Sequence, residues 1–332
     1  MNLIDKKILV TGAEGFIGSH LVERLVGLGV KVKAFTFYNF QGYNGWLDSL
    51  PENIKESIEI FSGDIRDPNG VLEASKGCDV IMHLAALIGI PFSYHSPDSY
   101  IDTNIKGTLN ILNASRIHSI EKVIITSTSE VYGTALYVPI DENHPLQGQS
   151  PYSASKIGAD QLALSFYRSF GTPVTIIRPF NTYGPRQSAR AIIPTLFTQL
   201  INGKSGISVG SIHPTRDFTF VEDTVEGFIK IAEAENVFGE VFNLGANFEI
   251  SVKDLFEKIC LIVGSDAKIV SQNERLRPGK SEVERLWSNN KKALDILKWS
   301  PQISLDAGLK KTYEWFLRKE NIQLYNSNRY YI

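Results

Sequence analysis

The sequence is short of the residues that build covalent or metal-centred chemistry. Among 332 residues there are only two cysteines and two methionines. Cys78 and Cys260 lie far apart, which excludes a disulfide framework and a cysteine metal site, and a reduced, cytoplasmic chain is expected. His20, His95, His118, His144 and His213 show no metal-ligand spacing, and His83, closing an apolar run, reads as a packing residue. No metal is expected. Charge of one sign is lacking too: 34 Lys and Arg against 36 Asp and Glu leave a net −2. That argues against a polyanion-binding surface, so nucleic acid is not expected as a partner. Long hydrophobic runs are also missing. Val80 to Phe92 is interrupted by His83 and is too short to span a bilayer. The apolar stretch near Met1 is too short for a signal peptide, and no membrane is expected as a partner. Asn113-Ala114-Ser115 matches a glycosylation sequon, which carries no meaning in a cytoplasmic chain.

What is present is core-forming material, 43% hydrophobic residues against 21% charged. The length suits two domains or one large two-lobed unit. Apolar β-rich runs alternate with helical periodicity through the first half. Strands are expected at Lys7–Thr11, Val30–Phe37, Ile58–Phe61, Val80–His83, Val123–Thr126 and Val174–Arg178. Helices are expected at Phe16–Leu28, Asp98–Arg116 and Tyr152–Ser169. This alternation implies right-handed crossovers and a doubly wound parallel sheet, an α/β fold. The pattern loosens after Pro179, where helices at Ile193–Ile201, Thr224–Ala234, Val252–Ile262 and Leu305–Leu317 stand between turn-rich stretches. Residues 1–180 are thus expected to form the sheet domain, with about 215–235 returning to it. Residues 181–332 mostly form a smaller C-terminal lobe over the carboxyl ends of the strands, where open α/β sheets bind ligands.

The first strand runs into Thr11-Gly12-Ala13-Glu14-Gly15-Phe16-Ile17-Gly18. Glycines between a strand and a helix permit a tight turn, approach of a pyrophosphate to backbone N–H groups, and close helix–strand packing. The spacing is GxxGxxG. Its context predicts a Rossmann-type dinucleotide site held by Gly12, Gly15, Phe16, Ile17 and Gly18. The second strand normally ends near an acid for the ribose diol of NAD. Lys33 to Asn39 contains none, and no arginine for a 2′-phosphate either. NAD is expected in preference to NADP, with Tyr38 or Asn39 meeting the ribose.

Tyr152-Ser153-Ala154-Ser155-Lys156 sets a phenol and an ammonium four residues apart on one helical face. A phenol ionises near ~10, and a neighbouring cation lowers that value. Such a tyrosine can take the proton of a sugar hydroxyl while hydride leaves the same carbon.

Taken in order, several motifs resemble the extended short-chain dehydrogenase/reductase family of NAD-dependent epimerases and dehydratases. They are the Gly12/Gly15/Gly18 loop, Ser62–Ile65, His83–Ala86, Asn104, Tyr152 with Lys156, and Arg178–Arg186, with weaker matches at Arg216–Phe218 and Arg277–Gly279. The resemblance implies that Asp64 and Ile65 flank the adenine and that Leu84, Ala85 and Ala86 line the nicotinamide ribose path. It places Pro179 by the nicotinamide and gives Lys156 a second contact to the nicotinamide ribose. It assigns Asn181, Arg216 and Arg277 to a nucleotide sugar, the arginines at its diphosphate. It also implies a homodimer through helices 98–116 and 152–169.

Family members share oxidation of the sugar at C4 and differ in the later steps. The stretch that separates them is Ser127-Thr128-Ser129-Glu130. A 4-keto sugar has an acidified C5–H, and Glu130 is the candidate base that removes it so that the C6 hydroxyl leaves as water. Ser129 stands where many glucose 4,6-dehydratases carry an aspartate acid, so either Glu130 carries the proton onward or Ser129 relays it. Thr128 would bond O4 and assist Tyr152. Leu87–His95 would line the sugar, Ser93 among its contacts, and its apolar character suits an N-acetyl group. Lys280 replaces an aspartate common among relatives at the nucleotide ribose, leaving Glu282 as the candidate there. Over nearly its whole length the chain resembles the nucleotide-N-acetylglucosamine 4,6-dehydratases of legionaminic acid biosynthesis. The expected activity is that of a hydro-lyase on a UDP- or GDP-linked sugar. UDP-glucuronate decarboxylase, 4-epimerase and a non-enzymatic NAD(P) sensor are the alternatives.

Overall fold

Short β-branched runs build a seven-stranded sheet in the computed structural model, which describes residues 1–327 and Tyr330. The strands are β1 (Lys7–Thr11), β2 (Lys31–Phe37), β3 (Ile58–Gly63), β4 (Val80–His83), β5 (Lys122–Thr126), β6 (Val174–Pro179) and β7 (Val241–Leu244). All pairings are parallel, in the order β7-β6-β5-β4-β1-β2-β3. The order reverses between β1 and β4, which opens a crevice at their carboxyl ends.

Among the described residues eight longer helices accompany the sheet: α1 (Phe16–Gly27), α2 (Pro68–Ser75), α3 (Gly107–Ile117), α4 (Pro151–Phe170), α5 (Ile192–Ile201), α6 (Val221–Glu233), α7 (Val252–Val263) and α8 (Leu305–Phe316). Strand side chains alternate between the two faces, and this decides which helix each one meets. Ile8, Val10, Val80, Met82 and Ile124 join a core with Leu21, Val22 and Leu25 of α1 and Val225, Phe228 and Ile229 of α6. Their neighbours Leu9, Ile81, Val123 and Ile125 join a second core with Val71 of α2, Ile111 and Leu112 of α3, and Ala163 and Leu164 of α4. The first core continues into Leu196 and Phe197 of α5, Leu255 and Ile259 of α7, and Leu309 of α8, so the C-terminal lobe is packed against the sheet layer.

Two elements differ from the sequence-based expectation. The helix expected over Asp98–Arg116 is a short helix at Pro97–Tyr100, a wide π turn at Ile101–Lys106, and then α3. Asn104 sits in the wide turn, its side chain bonded to both the N–H and the carbonyl of Leu87 at 2.9 Å. Strand β7 was not expected. It pairs with β6 from Val241↔Ile176 to Leu244↔Pro179, bringing residues beyond 180 into the main sheet. Beside the sheet, Asn181–Tyr183 pairs with Phe218–Phe220, and Thr215–Arg216 pairs with Ile250–Ser251. These ladders carry Asn181 and Arg216. Cys78 and Cys260 are free and buried. Among the described residues no helix is long and apolar enough to cross a membrane.

Candidate active site

The three glycines after β1 have different physical reasons. Gly12 has φ +66°, and a Cβ there would lie 2.8 Å from the Ala85 nitrogen. A Cβ on Gly18 would lie 2.1 Å from the Gly12 carbonyl oxygen. Both are demanded by the fold itself. Gly15 has ordinary backbone angles and caps α1 with no side-chain hydrogen bond. Its Cβ would meet only the Gly12 carbonyl oxygen, at 3.2 Å. The backbone donors at the start of α1, including those of Phe16 and Ile17, therefore lack a protein cap and face an open approach. That is the donor set a pyrophosphate needs. The residues present fit a dinucleotide.

At the expected adenosine end, Tyr38 is exposed. The Asn39 side chain is engaged within its own loop: Nδ2 donates to the Tyr43 carbonyl at 2.6 Å and Oδ1 accepts from the Tyr43 N–H at 3.0 Å. The structure therefore leaves Asn39 little capacity for a ribose. Asp64 holds Arg66 through both carboxylate oxygens, which keeps its carboxyl below the usual range. Ile65 is buried, and its carbonyl accepts from Asn110 Nδ2.

A directed chain of hydrogen bonds runs behind the stretch that follows β4. Thr11 Oγ1 accepts from the N–H groups of Leu84 and Ala85, both at 3.1 Å, which leaves its proton for His83 Nδ1 at 2.8 Å. His83 Nε2 then donates to Thr108 Oγ1, which donates to the Asn104 carbonyl. Burial pushes His83 down to about 3, so it is neutral, in keeping with a packing residue at a strand end. Leu84, Ala85 and Ala86 follow as half-buried residues. Asn104 reaches onward to Ser155 Oγ, which donates to the Tyr152 carbonyl. The stretch after β4 is thereby tied to the helix that carries Tyr152.

Helix α4 starts at a capping box between Ser150 and Ser153 with Pro151 in its first turn, and this fixes Tyr152 and Lys156. Both are buried, Tyr152 in an apolar cluster with Ile90, Tyr100, Leu87 and Phe92. The expected depression of the phenol by Lys156 is not what the chain alone shows. Burial raises Tyr152 above its ordinary value, and the nearby Glu130 charge adds to this, while a hydrogen bond with Thr128 opposes it. Lys156 is itself pushed down to about 8 by burial and donates to the Thr126 carbonyl at 2.6 Å. Thr128 caps the short turn Ser129–Tyr132, accepting from the Glu130 N–H at 3.2 Å. Ser129 and Glu130 are buried in that turn. Among the described residues the Glu130 carboxylate has no hydrogen-bond or ion-pair partner. Its charge acts on both Tyr152 and Arg216.

On the lobe side, Arg216 and Arg277 converge on Glu282 Oε1, at 3.3 and 3.5 Å. Asn181 Oδ1 is buried without a partner. Pro179 ends β6 and is buried. Ser93 is not brought to the site surface: it is fully buried and donates to the Ile90 carbonyl at 2.7 Å.

A family model for GDP-mannose 4,6 dehydratase matches residues 9–312. The chain belongs to this family of NAD-dependent nucleotide-sugar enzymes. Its relatives span three chemistries. It is 34% identical to the UDP-N-acetyl-alpha-D-glucosaminuronate decarboxylase of Bacillus cytotoxicus, covering 96% of this chain and 100% of that one. The fold matches the dTDP-glucose 4,6-dehydratase DesIV of Streptomyces venezuelae, solved with NAD bound, with TM-score 0.84, 27% identity and 97% and 100% of the two chains covered. It also matches the UDP-glucuronic acid 4-epimerase of Bacillus cereus, solved with UDP-glucuronic acid and NAD, with TM-score 0.85, 29% identity and 96% and 100% covered.

Within this dehydratase and epimerase family frame, sequence reasoning missed a buried support. Asp160 Oδ2 accepts from Ser127 and from Arg178, and Arg178 donates to the Tyr132 hydroxyl, which donates to Asn243. The network lies under the Ser129–Tyr132 turn. The signal available was Asp160, one helical turn after Lys156 on a face that also had to be buried.

Proposed function

We propose that the chain is a 4,6-dehydratase acting on a UDP- or GDP-linked N-acetylglucosamine, with NAD as cofactor. The observation that carries this reading is Glu130: a buried carboxylate, without an ion pair, beside Tyr152. A structural glutamate in that turn would be held by a partner, whereas the Glu130 oxygens are neither paired nor fully enclosed and stay open to a ligand. Held by Gly12, Gly15 and the N–H groups of Phe16 and Ile17, NAD would supply a cationic ring able to take up a hydride and give it back. Tyr152 would take the O4 proton as the phenolate, a form that the positive charges of that ring and of Lys156 favour and that Thr128, bonded to the phenol, supports. Glu130 takes the C5 proton, and the C6 hydroxyl departs as water with a proton from Glu130 or through Ser129. Asn181, Arg216 and Arg277 hold the nucleotide, and the diphosphate takes over the arginine contacts now made by Glu282. Leu87 and Phe92, half-buried beside Tyr152, supply an apolar wall suited to an N-acetyl group. The protein pairs through helices 98–116 and 152–169, which leave Ile101, Ile117, Tyr167 and Phe170 exposed at or just beyond their ends.

The second reading is decarboxylation of a nucleotide-linked uronic acid, favoured by the 34% identity to the Bacillus cytotoxicus enzyme. Incubation with UDP- and GDP-N-acetylglucosamine and with UDP-glucuronate, followed by mass spectrometry, decides. Loss of water from an N-acetylglucosamine nucleotide is expected. Loss of carbon dioxide selects the decarboxylase, and an unchanged mass with inverted C4 selects an epimerase.

A further inference from the structure

Strand β2 ends without an acid, yet a carboxylate stands at its end. Glu14 lies between Gly12 and Gly15, and its side chain folds back so that Oε1 accepts from the Phe37 N–H at 2.9 Å. Phe37 is the last residue of β2. The second oxygen, Oε2, is enclosed and has no hydrogen-bond partner. The loop after β2 holds the residue in place, with the Trp46 N–H donating to the Glu14 carbonyl at 3.0 Å. A Cβ on Gly45 would lie 2.6 Å from that same carbonyl oxygen, so the loop packs directly on Glu14. Burial holds its carboxyl above the usual range.

An enclosed carboxylate oxygen without a donor is costly and is retained where a donor from outside completes it. In this fold the end of β2 beside the glycine turn faces the adenosine ribose of a bound dinucleotide. We propose that Glu14 replaces the missing acid at the end of β2: Oε1 is fixed by Phe37, and Oε2 accepts a hydroxyl of the adenosine ribose, which selects NAD over NADP. A 2′-phosphate brings acceptors and negative charge to an acceptor that is itself negative. The one cation within residues 33–46, Lys33, is paired with Glu59 at 3.2 Å, and Arg66, just beyond the neighbouring strand β3, is held by Asp64. Of the two residues expected at this position from sequence, Asn39 is engaged with Tyr43 and does not compete for the role.

The inference rests on the NAD reading and not on the sugar chemistry, so its test reads binding. Nucleotide-stripped protein is titrated calorimetrically with NAD+ and with NADP+. The wild type is expected to favour NAD+. Glu14→Gln keeps an acceptor for Phe37 and loses the charge. It should weaken NAD+ by about tenfold or more while leaving NADP+ unchanged or tighter, as expected for one charge-assisted hydrogen bond. A purely structural role would weaken both dinucleotides together, and an unmoved NAD+/NADP+ ratio overturns the inference. A second measurement needs no variant: the wild type should bind ADP-ribose more tightly than either its 2′-phosphate or its 2′-deoxy form, and equal binding of all three overturns the inference as well. Failure to bind any of these nucleotides would overturn the cofactor reading itself, whereas binding with an unmoved ratio overturns this inference alone.

Discussion

Glu130 and Tyr152 stand in the same enclosed space, and their charges oppose each other. In the chain alone the phenol is held protonated by burial and by the neighbouring carboxylate. In the proposed mechanism each group acts as a base only in its anionic form, and two anions side by side are costly, which suits their acting in sequence. Glu130→Gln removes the base and leaves Tyr152 with a neutral neighbour. The variant should still reduce its bound NAD when substrate is added, seen as the near-ultraviolet absorbance of the reduced ring. Its turnover to dehydrated product should fall by about 10²–10⁴-fold, the range for loss of a general base. Dehydration at the wild-type rate would remove Glu130 from the mechanism. Residue types and spacing single out Glu130 just after β5 and Tyr152 with Lys156 one turn apart on α4, and the fold brings the two stretches together. The state of the phenol was not legible. It depends on how completely Ile90, Tyr100 and their neighbours exclude water, which no local pattern reveals.

At the scale of elements, the glycine turn separates folding from binding. Gly18→Ala drives a methyl group into the Gly12 carbonyl, a backbone contact that cannot swing aside, and should destabilise by about 1–3 kcal/mol or more. Gly15→Ala meets the same oxygen at 3.2 Å with allowed backbone angles, so stability should change by less than about 1 kcal/mol. The same methyl stands in the path of the pyrophosphate, and NAD+ affinity should drop at least tenfold. Urea unfolding and calorimetric titration on the two variants check both halves. Equal loss of stability in the two would mean that Gly15 also serves the fold. The strands were legible because Ile8-Leu9-Val10 and Val80-Ile81-Met82 must feed two cores at once, and a run buried on both faces has little choice of composition. Strand β7 was not, since Val241-Phe242-Asn243-Leu244 is short and its central asparagine is a poor strand former. Tertiary bonds explain it: Asn243 Nδ2 donates to the Ile140 carbonyl and Oδ1 accepts from the Tyr132 hydroxyl. The π turn at Ile101–Lys106 follows from the Asn104–Leu87 bonds, contacts 17 residues apart that helical periodicity cannot register. Glu14 is not legible from Lys33–Asn39 for a related reason: it lies 23 residues before Phe37, and only the fold brings its carboxylate to the end of β2.

For the whole molecule, buried titratable groups set how stability responds to acid. His83 is pushed down to about 3 by burial, and His20 to about 4 by burial and the nearby Arg186. Unfolded histidine titrates near ~6.5, so on acidification the unfolded chain binds protons that the fold refuses. Their contribution is fully present above that value and is lost as pH falls toward the folded values. Asp217 acts in the opposite sense. Burial raises it from 3.8 to about 7, although backbone N–H groups of Ala246 and Ser288 support its carboxylate. Through that window the fold holds a proton the unfolded chain releases, so stability falls as pH rises. Glu14 and Glu142, also raised by burial, act in the same direction as Asp217. Each fully engaged group contributes about 1.4 kcal/mol per pH unit. His83→Gln should therefore lose about 1 kcal/mol less than the wild type between about pH 6 and pH 5, and Asp217→Asn about 1 kcal/mol more, whatever either substitution does to stability at neutral pH. Urea unfolding of the three proteins across that interval reads the difference in slope. An unchanged slope in His83→Gln would mean that the histidine takes up its proton inside the fold. Thr11 could not then donate to it, and the directed chain from Thr11 to the Asn104 carbonyl would have to be redrawn.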